Sequence, residues 1–154
     1  MTVDKIAFKN KLKQIGLSVI EQRIARVKAV IDNVQQWTNS EEKSSAGDKY
    51  ETGRAMGHLE KEMQLKQLAE YQKELAAIYE VDTSKVFNSV TTGAFIECGA
   101  HSFFIALGLG KQVVDNKAVF FLSPQAPLYK LLQNKKAGDQ FHFNGVELTI
   151  QDVY

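Results

Sequence analysis

The feature that most constrains the fold is a run of apolar residues, spaced three and four positions apart, near the start of the chain. It comprises Leu17, Ile20, Ile24, Val27, Ile31 and Val34. This spacing places the side chains along one seam of an α-helix, as in a coiled coil. Residues from about 4 to 38 contain no proline and a single glycine, so we predict one long helix there. A helix with such a stripe needs an apolar partner in water.

A second helix is predicted to be that partner. Residues 39–48, NSEEKSSAGD, interrupt the apolar pattern, and a helical pattern returns from about Lys49 to Tyr79. We expect an apolar stripe that, after a shift of phase, continues to the end of this helix, made of Met56, Leu59, Met63, Leu65, Leu68, Leu75 and Ile78. Because the connection is short, an antiparallel hairpin over residues 1–82, with its tip near 39–49, is the simplest arrangement.

From residue 83 onwards the sequence is typical of strands. Val, Phe, Ile and Thr are frequent, and we predict strands near 87–97, 102–108, 117–122, 140–143 and 146–153. Asn144-Gly145 is a two-residue hairpin signal between the last two. Pro127 suits the first turn of a short helix, predicted over Pro127–Asn134. The predicted fold class is therefore α+β: the helical hairpin, then a small antiparallel sheet domain over 83–154 with one short helix.

Composition excludes several classes of function. The formal net charge is +1, so no overall field favours nucleic acid or a membrane surface. No stretch approaches the ~20 apolar residues of a membrane span, and the N-terminus lacks the apolar core of a signal peptide. Cys98 is the only cysteine, which fits a reducing compartment, so we expect a cytoplasmic protein.

Catalytic motifs are not evident. Cys98 and His101 are close in sequence, as a nucleophile and its base would be, but no third orienting residue accompanies them. No His/Cys spacing is typical of zinc, and no Walker or Rossmann glycine pattern is present. These patterns therefore supply no motif that would make the chain itself an enzyme.

The C-terminal third carries an ordered run of motifs. Segment 123–128, SPQAPL, is followed by Leu131-Leu132, Lys135-Lys136, Gly138-Asp139 and a closing strand to Tyr154. This order, behind a helical hairpin and at this total length, resembles the bacterial Gre transcript cleavage factors. Tyr50 and Arg54 fit the tyrosine and the basic residue that the family has just past its hairpin tip.

The resemblance implies an FKBP-like fold for the C-terminal domain and RNA polymerase as the partner. In the family, the hairpin enters the secondary channel of the polymerase, where acids at its tip help to hold a second Mg²⁺. The factor then needs no cofactor of its own, contact with nascent RNA is indirect, and a monomer is expected. The implied polymerase-binding residues are Ser123, Pro124, Pro127, Leu128, Tyr50 and Arg54.

The tip of this chain departs from the family's pattern, which is roughly Gly-Asp-x-x-Glu-Asn-x-Glu-Tyr. With Tyr50 as the anchor, the family's acidic positions fall on Lys43, Ala46 and Lys49. Other acids lie close by, and carboxylates are ligands that Mg²⁺ prefers. The candidate metal ligands are Glu41, Glu42 and Asp48. Asp48 with Glu51 also resembles a capping box, which is a structural alternative.

Three functions are compatible with these observations. The first is a secondary-channel factor that modulates elongation and stimulates cleavage of backtracked RNA through its tip acids. The second is a non-cleaving regulator that occupies the same channel, since lysines stand at family acid positions. The third is an FKBP-type peptidyl-prolyl isomerase, which needs aromatic side chains around a proline site; those available, of which strand alternation places about half in the core, are Phe103, Phe104, Phe120, Phe121, Phe141 and Phe143.

Overall fold

The chain is α+β, with two long helices ahead of a mostly antiparallel sheet and one short helix. The computed structural model describes the backbone of residues 2–42 and 47–154, and the side chains of 2–36 and 55–154. The helices are α1 (Thr2–Glu42), α2 (Gly47–Glu80) and α3 (Pro127–Leu132). The strands are β1 (Phe95–Glu97), β2 (Ser102–Ile105), β3 (Gly110–Val114), β4 (Lys117–Leu122), β5 (Gln140–Phe143), β6 (Val146–Thr149) and β7 (Asp152–Val153).

The chain divides into two compact units. One is Ile20–Leu75, and the other combines Met1–Val19 with Ala76–Tyr154. Each unit therefore contains part of α1 and part of α2. The domain boundary predicted near residue 82 stays a prediction.

In the unit Ile20–Leu75 the two helices pair antiparallel. The Lys61 ammonium donates to Gln35 Oε1 at 2.5 Å, and the charge of Arg23 acts on the Glu74 carboxyl. Residues later in α1 thus meet residues earlier in α2. Burial raises the pKa of Glu74, while Arg23 opposes that rise. The predicted seam of α1 turns inward, since all its members in this unit are buried or half-buried: Ile20, Ile24, Val27, Ile31 and Val34.

The stripe predicted for α2 is wrong in its first half. The exposed fractions are 63%, 59%, 58% and 45% for Met56, Leu59, Met63 and Leu65. The residues that turn inward instead follow a 4-3-4-3-4 spacing without a phase shift and are Gly57, Lys61, Gln64, Leu68, Tyr71 and Leu75. Two polar residues occupy this seam because their ends are hydrogen-bonded: Lys61 to Gln35, and Gln64 Nε2 to Glu60 Oε1 at 2.9 Å.

The second unit is built on a five-stranded sheet in the order β3-β4-β2-β1-β7. The expectation of an antiparallel sheet needs one correction, because β2 and β4 pair parallel, with Phe103 opposite Phe120. The reason is β3, which sequence reasoning missed. The chain reverses into β3 and reverses again at Asp115-Asn116, whose φ angles are 52° and 64°, so that β4 returns alongside β2 in the same direction.

A separate two-stranded sheet is formed by β5 and β6. Asn144 and Gly145 join the two strands with φ angles of 52° and 78°, as the hairpin signal predicted. The strand predicted over 146–153 is divided between two sheets, because β7 leaves this hairpin and pairs with β1. Between them, Ile150 bonds through its N–H to the carbonyl of Asp139.

Both faces of the five-stranded sheet are covered. On one face, α1 supplies Phe8, whose ring is roughly perpendicular to that of Phe95, with the two ring centroids 5.1 Å apart. Gly16 of the same helix lies against Ile78 and Phe121. The other face packs against α3 and the β5–β6 hairpin. Its cluster of buried residues is Val90, Ala94, Ile96, Cys98, Phe103, Ile105, Tyr129, Leu132, Phe141, Ile150 and Val153.

Two lysines of α1 bind the end of α2 and the segment that follows it. Lys13 Nζ donates to the carbonyls of Tyr79 at 3.0 Å and Val81 at 2.8 Å. Lys9 Nζ donates to the Lys85 carbonyl at 2.6 Å and lies 4.5 Å from the centre of the Phe87 ring. The contact with Tyr79 satisfies a carbonyl group that the end of α2 leaves without an intrahelical donor, and the other two fix the segment that follows.

Lys9 gives a prediction about pH. Its side chain is fully buried, and burial lowers the pKa of Lys9 to about 8, against an opposing effect of Asp82. In the unfolded chain Lys9 gains its proton at the ordinary pKa of about 10.5, but in the folded protein only at about 8. Between these two pH values the unfolded state binds more protons, so the folded protein loses stability as pH falls from about 10.5 to about 8. Lys9→Met lacks this pH-dependent loss. We therefore expect the difference between the free energies of unfolding, Lys9→Met minus wild type, to be larger at pH 7 than at pH 10.5.

Urea unfolding at a series of pH values measures this difference. Cys98 and Tyr154, whose pKa values burial raises to about 11 and about 12, titrate in both proteins and cancel. Lys11→Met is the control, because Lys11 lies on the same helix but is more than half exposed. A Lys9→Met difference that stays constant over this range would contradict the assignment.

Candidate partner-binding site

The SPQAPL segment is held in shape by its own hydrogen bonds. The Ser123 hydroxyl accepts from the N–H of Gln125 at 3.1 Å and donates to its side-chain oxygen at 2.5 Å. The Ser123 carbonyl accepts from the N–H of Ala126 at 3.0 Å, which closes a tight turn. Pro127 then begins α3, where its missing N–H leaves no unsatisfied donor. The predicted helix is two residues shorter than expected and ends at Leu132.

The two sides of α3 differ in exposure. Tyr129 and Leu132 are buried, and Leu128 is half-buried against the core cluster. Pro127 and Leu131 lie one turn apart on the outward side, and Leu131 is 52% exposed. The structure therefore places an exposed apolar surface where the family resemblance implies binding, with Leu131 as its larger member.

The implied polymerase-binding residues have different surroundings. Ser123, Pro124 and Leu128 are half-buried, and Pro127 is exposed. Leu131 was part of the family motif but was not among the residues singled out. The inward spacing of Leu128 and Leu132, four residues apart, would have indicated that Leu131 faces outward.

The residues predicted at the hairpin tip lie outside the described side chains. These are Glu41, Glu42, Asp48, Tyr50 and Arg54, together with Lys43, Ala46 and Lys49. Among the residues whose side chains are described, no group of three or more His, Cys, Asp or Glu could hold a metal ion. The Mg²⁺ prediction thus depends on the tip acids and stays a prediction.

Cys98 and His101 have surroundings that do not favour nucleophilic chemistry. Burial and the nearby Glu97 carboxylate raise the pKa of the Cys98 thiol to about 11, which disfavours the reactive thiolate. Cys98 belongs to the core cluster, while His101 packs against the rings of Phe120 and Phe143.

Those three rings form a half-buried aromatic cluster. The centroids of His101, Phe120 and Phe143 lie 5.3 to 6.1 Å apart. Phe103 and Phe141 are buried beside them. Within the described part of the chain, His101 Nδ1 is buried without a hydrogen-bond partner. From the sequence, His101 was considered only as a base for Cys98, although its spacing from Phe103 and Ile105 in β2 places it on the same side of the sheet.

A second exposed apolar surface lies on α2, in the unit Ile20–Leu75. It consists of Met56, Leu59, Met63 and Leu65. An open depression of about 430 Å³ adjoins it, lined by Ala55, His58, Leu59, Lys61, Glu62 and Leu65. These side chains face outward because the inward seam of α2 runs through Gly57, Lys61, Gln64 and Leu68.

Among the described residues, no helix combines the length and the apolar character that crossing a membrane requires.

Comparisons with known proteins identify no relative. The chain matches no protein-family model, no curated protein and no solved structure.

Proposed function

We propose that the chain is a Gre-like factor that binds RNA polymerase at its secondary channel and modulates transcription elongation. The observation that carries the proposal is the surface of α3: the SPQAPL segment starts this helix at Pro127 and leaves Pro127 and Leu131 exposed. The order of a paired-helix region followed by an α+β domain supports it. An FKBP-like fold for the C-terminal domain and a monomeric, cytoplasmic protein are parts of the same proposal.

The chemistry in this proposal belongs to the polymerase. Glu41, Glu42 and Asp48 at the tip supply carboxylate oxygens that suit Mg²⁺. Together with the polymerase, these residues would hold a second Mg²⁺, which would lower the pKa of a bound water and stabilise the leaving oxygen. The chain lends ligands and has no catalytic residue of its own. Its contact with nascent RNA is indirect.

The test is transcript cleavage in backtracked elongation complexes with Mg²⁺ present. We expect shortened RNA with the wild type, and a rate at least about ten-fold lower with the triple variant Glu41→Ala/Glu42→Ala/Asp48→Ala, because one lost electrostatic contact in a transition state typically costs that much or more. Binding to polymerase should be retained. The matched control removes three exposed acids of α2 away from the tip: Glu62→Ala/Glu70→Ala/Glu80→Ala.

The outcomes separate the candidate functions. Cleavage that the triple tip variant leaves unchanged would refute the tip-acid mechanism. Binding without any cleavage, together with competition against a cleaving Gre factor, would support the non-cleaving regulator that Lys43 and Lys49 suggest. If the chain fails to bind polymerase in a pull-down, the proposed function is wrong.

One observation favours peptidyl-prolyl isomerisation as a second candidate. The half-buried rings of His101, Phe120 and Phe143 offer an apolar surface against which a proline ring can pack. Against it, four of the six phenylalanines in question are buried in the core: Phe103, Phe104, Phe121 and Phe141. An isomerase assay with a proline-containing peptide tests this candidate. It requires activity in the wild type that Phe120→Ala removes.

A further inference from the structure

The strand β3 forms an open edge of the five-stranded sheet. It pairs with β4 on one side, and no described strand pairs with it on the other. With five residues, Gly110–Val114, it is longer than β7, the two-residue strand at the opposite edge. An uncovered edge strand presents unpaired N–H and C=O groups to which another extended chain can bond. The edge at β3 is therefore suited to the addition of a strand.

The turn between β3 and β4 fixes which backbone groups of β3 are free. A two-residue turn at 115–116, with both φ angles positive, joins the strands, so the flanking residues Val114 and Lys117 exchange both of their backbone hydrogen bonds. Along an antiparallel ladder, bonded pairs alternate with non-bonded pairs. The N–H and C=O groups of Val113 and Lys111 therefore point away from β4, towards the open edge.

The hydrogen bonds on the far side of β4 agree with this alternation. The N–H of Ala106 donates to the carbonyl of Leu122 at 2.8 Å, so Leu122 bonds away from β3. The residues two and four positions earlier in β4 point in the same direction, and they are the partners of Lys111 and Val113. Neither residue of β3 therefore has a backbone bond to β4.

The side chains of the same two residues are exposed and differ in character. Val113 is 69% exposed. Lys111 is exposed as well, and among the described residues its ammonium group takes part in no ion pair. Because the two residues are two positions apart, their side chains lie on the same face of the sheet. An added strand is best matched by an apolar side chain opposite Val113 and an acid opposite Lys111.

A second copy of the chain would match these side chains poorly. Two β3 strands related by a two-fold axis can bond only through the outward groups of each copy. If Lys111 faces Val113 of the other copy, both ammonium groups stay unpaired, and if it faces the other Lys111, like charges repel. If Val113 faces Val113, each Lys111 meets Asp115, whose carboxylate already pairs with Lys11 at 2.6 Å. A lysine on an edge strand thus discourages self-pairing, and charge complementarity favours a different chain that carries an acid.

We infer that β3 binds an extended acidic segment of a partner protein as an added antiparallel strand. In its N-to-C direction this segment carries an apolar residue opposite Val113 and, two positions later, an acid opposite Lys111. Hydrogen bonds of the main chain supply the affinity, and the two side chains supply the specificity. The inference goes beyond the proposed function and does not depend on it.

The experiment titrates a labelled peptide with the full chain and measures fluorescence anisotropy. The peptide is Thr-Thr-Ile-Thr-Glu-Thr-Thr, with a fluorophore at its N-terminus and an amidated C-terminus. We expect saturable binding in which the Ile and Glu amides face β3, while the amides of the threonines that follow them face away. N-methylation of the Ile and Glu amides should weaken binding about ten-fold or more, because two hydrogen bonds are lost. N-methylation of the two following threonines is the matched control and should change affinity by less than about three-fold.

Variants of β3 test the same geometry from the side of the protein. Val113→Pro removes an N–H that faces the open edge, so β3 should stay paired with β4 while peptide binding falls about five-fold or more. Lys111→Glu should weaken binding about three-fold or more, and should bind more tightly a peptide with Lys in place of Glu. Lys130→Glu reverses another exposed lysine and should bind within about two-fold of the wild type. Circular dichroism and urea unfolding of each variant check that the fold is retained.

Each outcome supports or overturns a stated part of the inference. Absence of saturable binding at protein concentrations up to about 1 mM would overturn it as a whole. Equal losses from both N-methylated peptides would show that the peptide does not add as a strand. If Lys111→Glu binds the acidic and the basic peptide as the wild type does, the acidic class of partner is wrong. If sedimentation shows dimers of the chain alone that Val113→Pro dissociates, a second copy occupies the edge instead. Binding to polymerase is measured separately, so either proposal can fail without the other.

Discussion

Phe103→Ala is expected to lower the free energy of unfolding by about 3–5 kcal/mol, the range for truncating a fully buried phenylalanine. Phe103 is 0% exposed and lies where the five-stranded sheet meets the β5–β6 hairpin. Its ring centroid is 5.6, 5.9 and 5.4 Å from those of Phe120, Phe141 and Phe143. Alanine would remove these contacts and leave a cavity that the strands on either side cannot close by small shifts.

Urea unfolding at neutral pH gives the effect directly. A loss of about 4 kcal/mol corresponds to a fall in melting temperature of about 8–16 °C for a chain of this size. Phe103→Leu should cost less, because it keeps most of the volume. Val113→Ala, on an exposed position of β3, should change stability by less than about 0.5 kcal/mol. A Phe103→Ala loss no larger than that of the control would show that the two sheets do not pack through this residue.

Gly16→Val is expected to cost about 3 kcal/mol, at the upper end of the range for overpacking a core. Gly16 is buried on α1, and a Cβ at this position would lie 2.3 Å from Ile78 Cδ1 and 3.5 Å from a ring carbon of Phe121. The glycine therefore allows the close approach of α1 to the end of α2. Ser18→Val, at an exposed position two residues later, measures the cost of a β-branched residue in the helix alone.

A double-mutant cycle tests the cause. Gly16→Ala gains about 1 kcal/mol of helix propensity, which offsets part of the cost of displacing Ile78 Cδ1, so it should cost less than Gly16→Val. Ile78→Val removes Cδ1 itself. We expect the free energy of unfolding of Gly16→Ala/Ile78→Val to exceed the value predicted by adding the two single effects by about 1 kcal/mol or more, as is usual for residues in contact. If the two single effects simply add, the Ile78 side chain makes room for the new Cβ without loss of stability, and the clash is not the cause.

The inward face of α1 was predictable from the sequence, and the inward face of α2 was predictable only in part. The seam of α1 follows from local spacing alone, and its members turn inward. For the second helix, the predicted stripe holds at Leu68 and Leu75 but is wrong at its start, where Met56 and Leu59 are exposed. Its inward face contains Lys61, which is stabilised by a hydrogen bond to Gln35 on the other helix. That partner is distant in sequence, so a pattern within α2 cannot reveal it.

The sheet shows the same division. The Asn144-Gly145 hairpin and the strands β2 and β4 were predicted from local signals. The parallel pairing of β2 with β4 was not, because it depends on β3, whose residues are mostly exposed and lack an apolar alternation. The strand predicted over 87–97 is reduced to Phe95–Glu97. Gly93, with a φ of 92°, bends the chain just before it, and a Cβ there would lie 2.8 Å from the carbonyl of Asp82.

For the candidate site, the sequence located the segment but not which of its side chains are exposed. The SPQAPL motif located α3, and Pro127 was correctly expected at its start. Which residues face outward depends on how α3 sits on the core, and this exposes Leu131 while burying Tyr129. Among the described residues, Lys130, Lys135 and Lys136 form no ion pair, which is likewise a property of the assembled unit. The charges of residues 123–139 are visible in sequence, but their partners are not.

The position of β7 has a consequence for synthesis of the protein on the ribosome. This strand, Asp152–Val153, pairs with β1, and Asp152 also forms an ion pair with Lys5 near the start of α1. The unit that contains the sheet thus joins residues 1–19 with residues 76–154. During translation its first helix emerges long before the strands that it covers. Folding of this unit is therefore completed only after Val153 has left the exit tunnel.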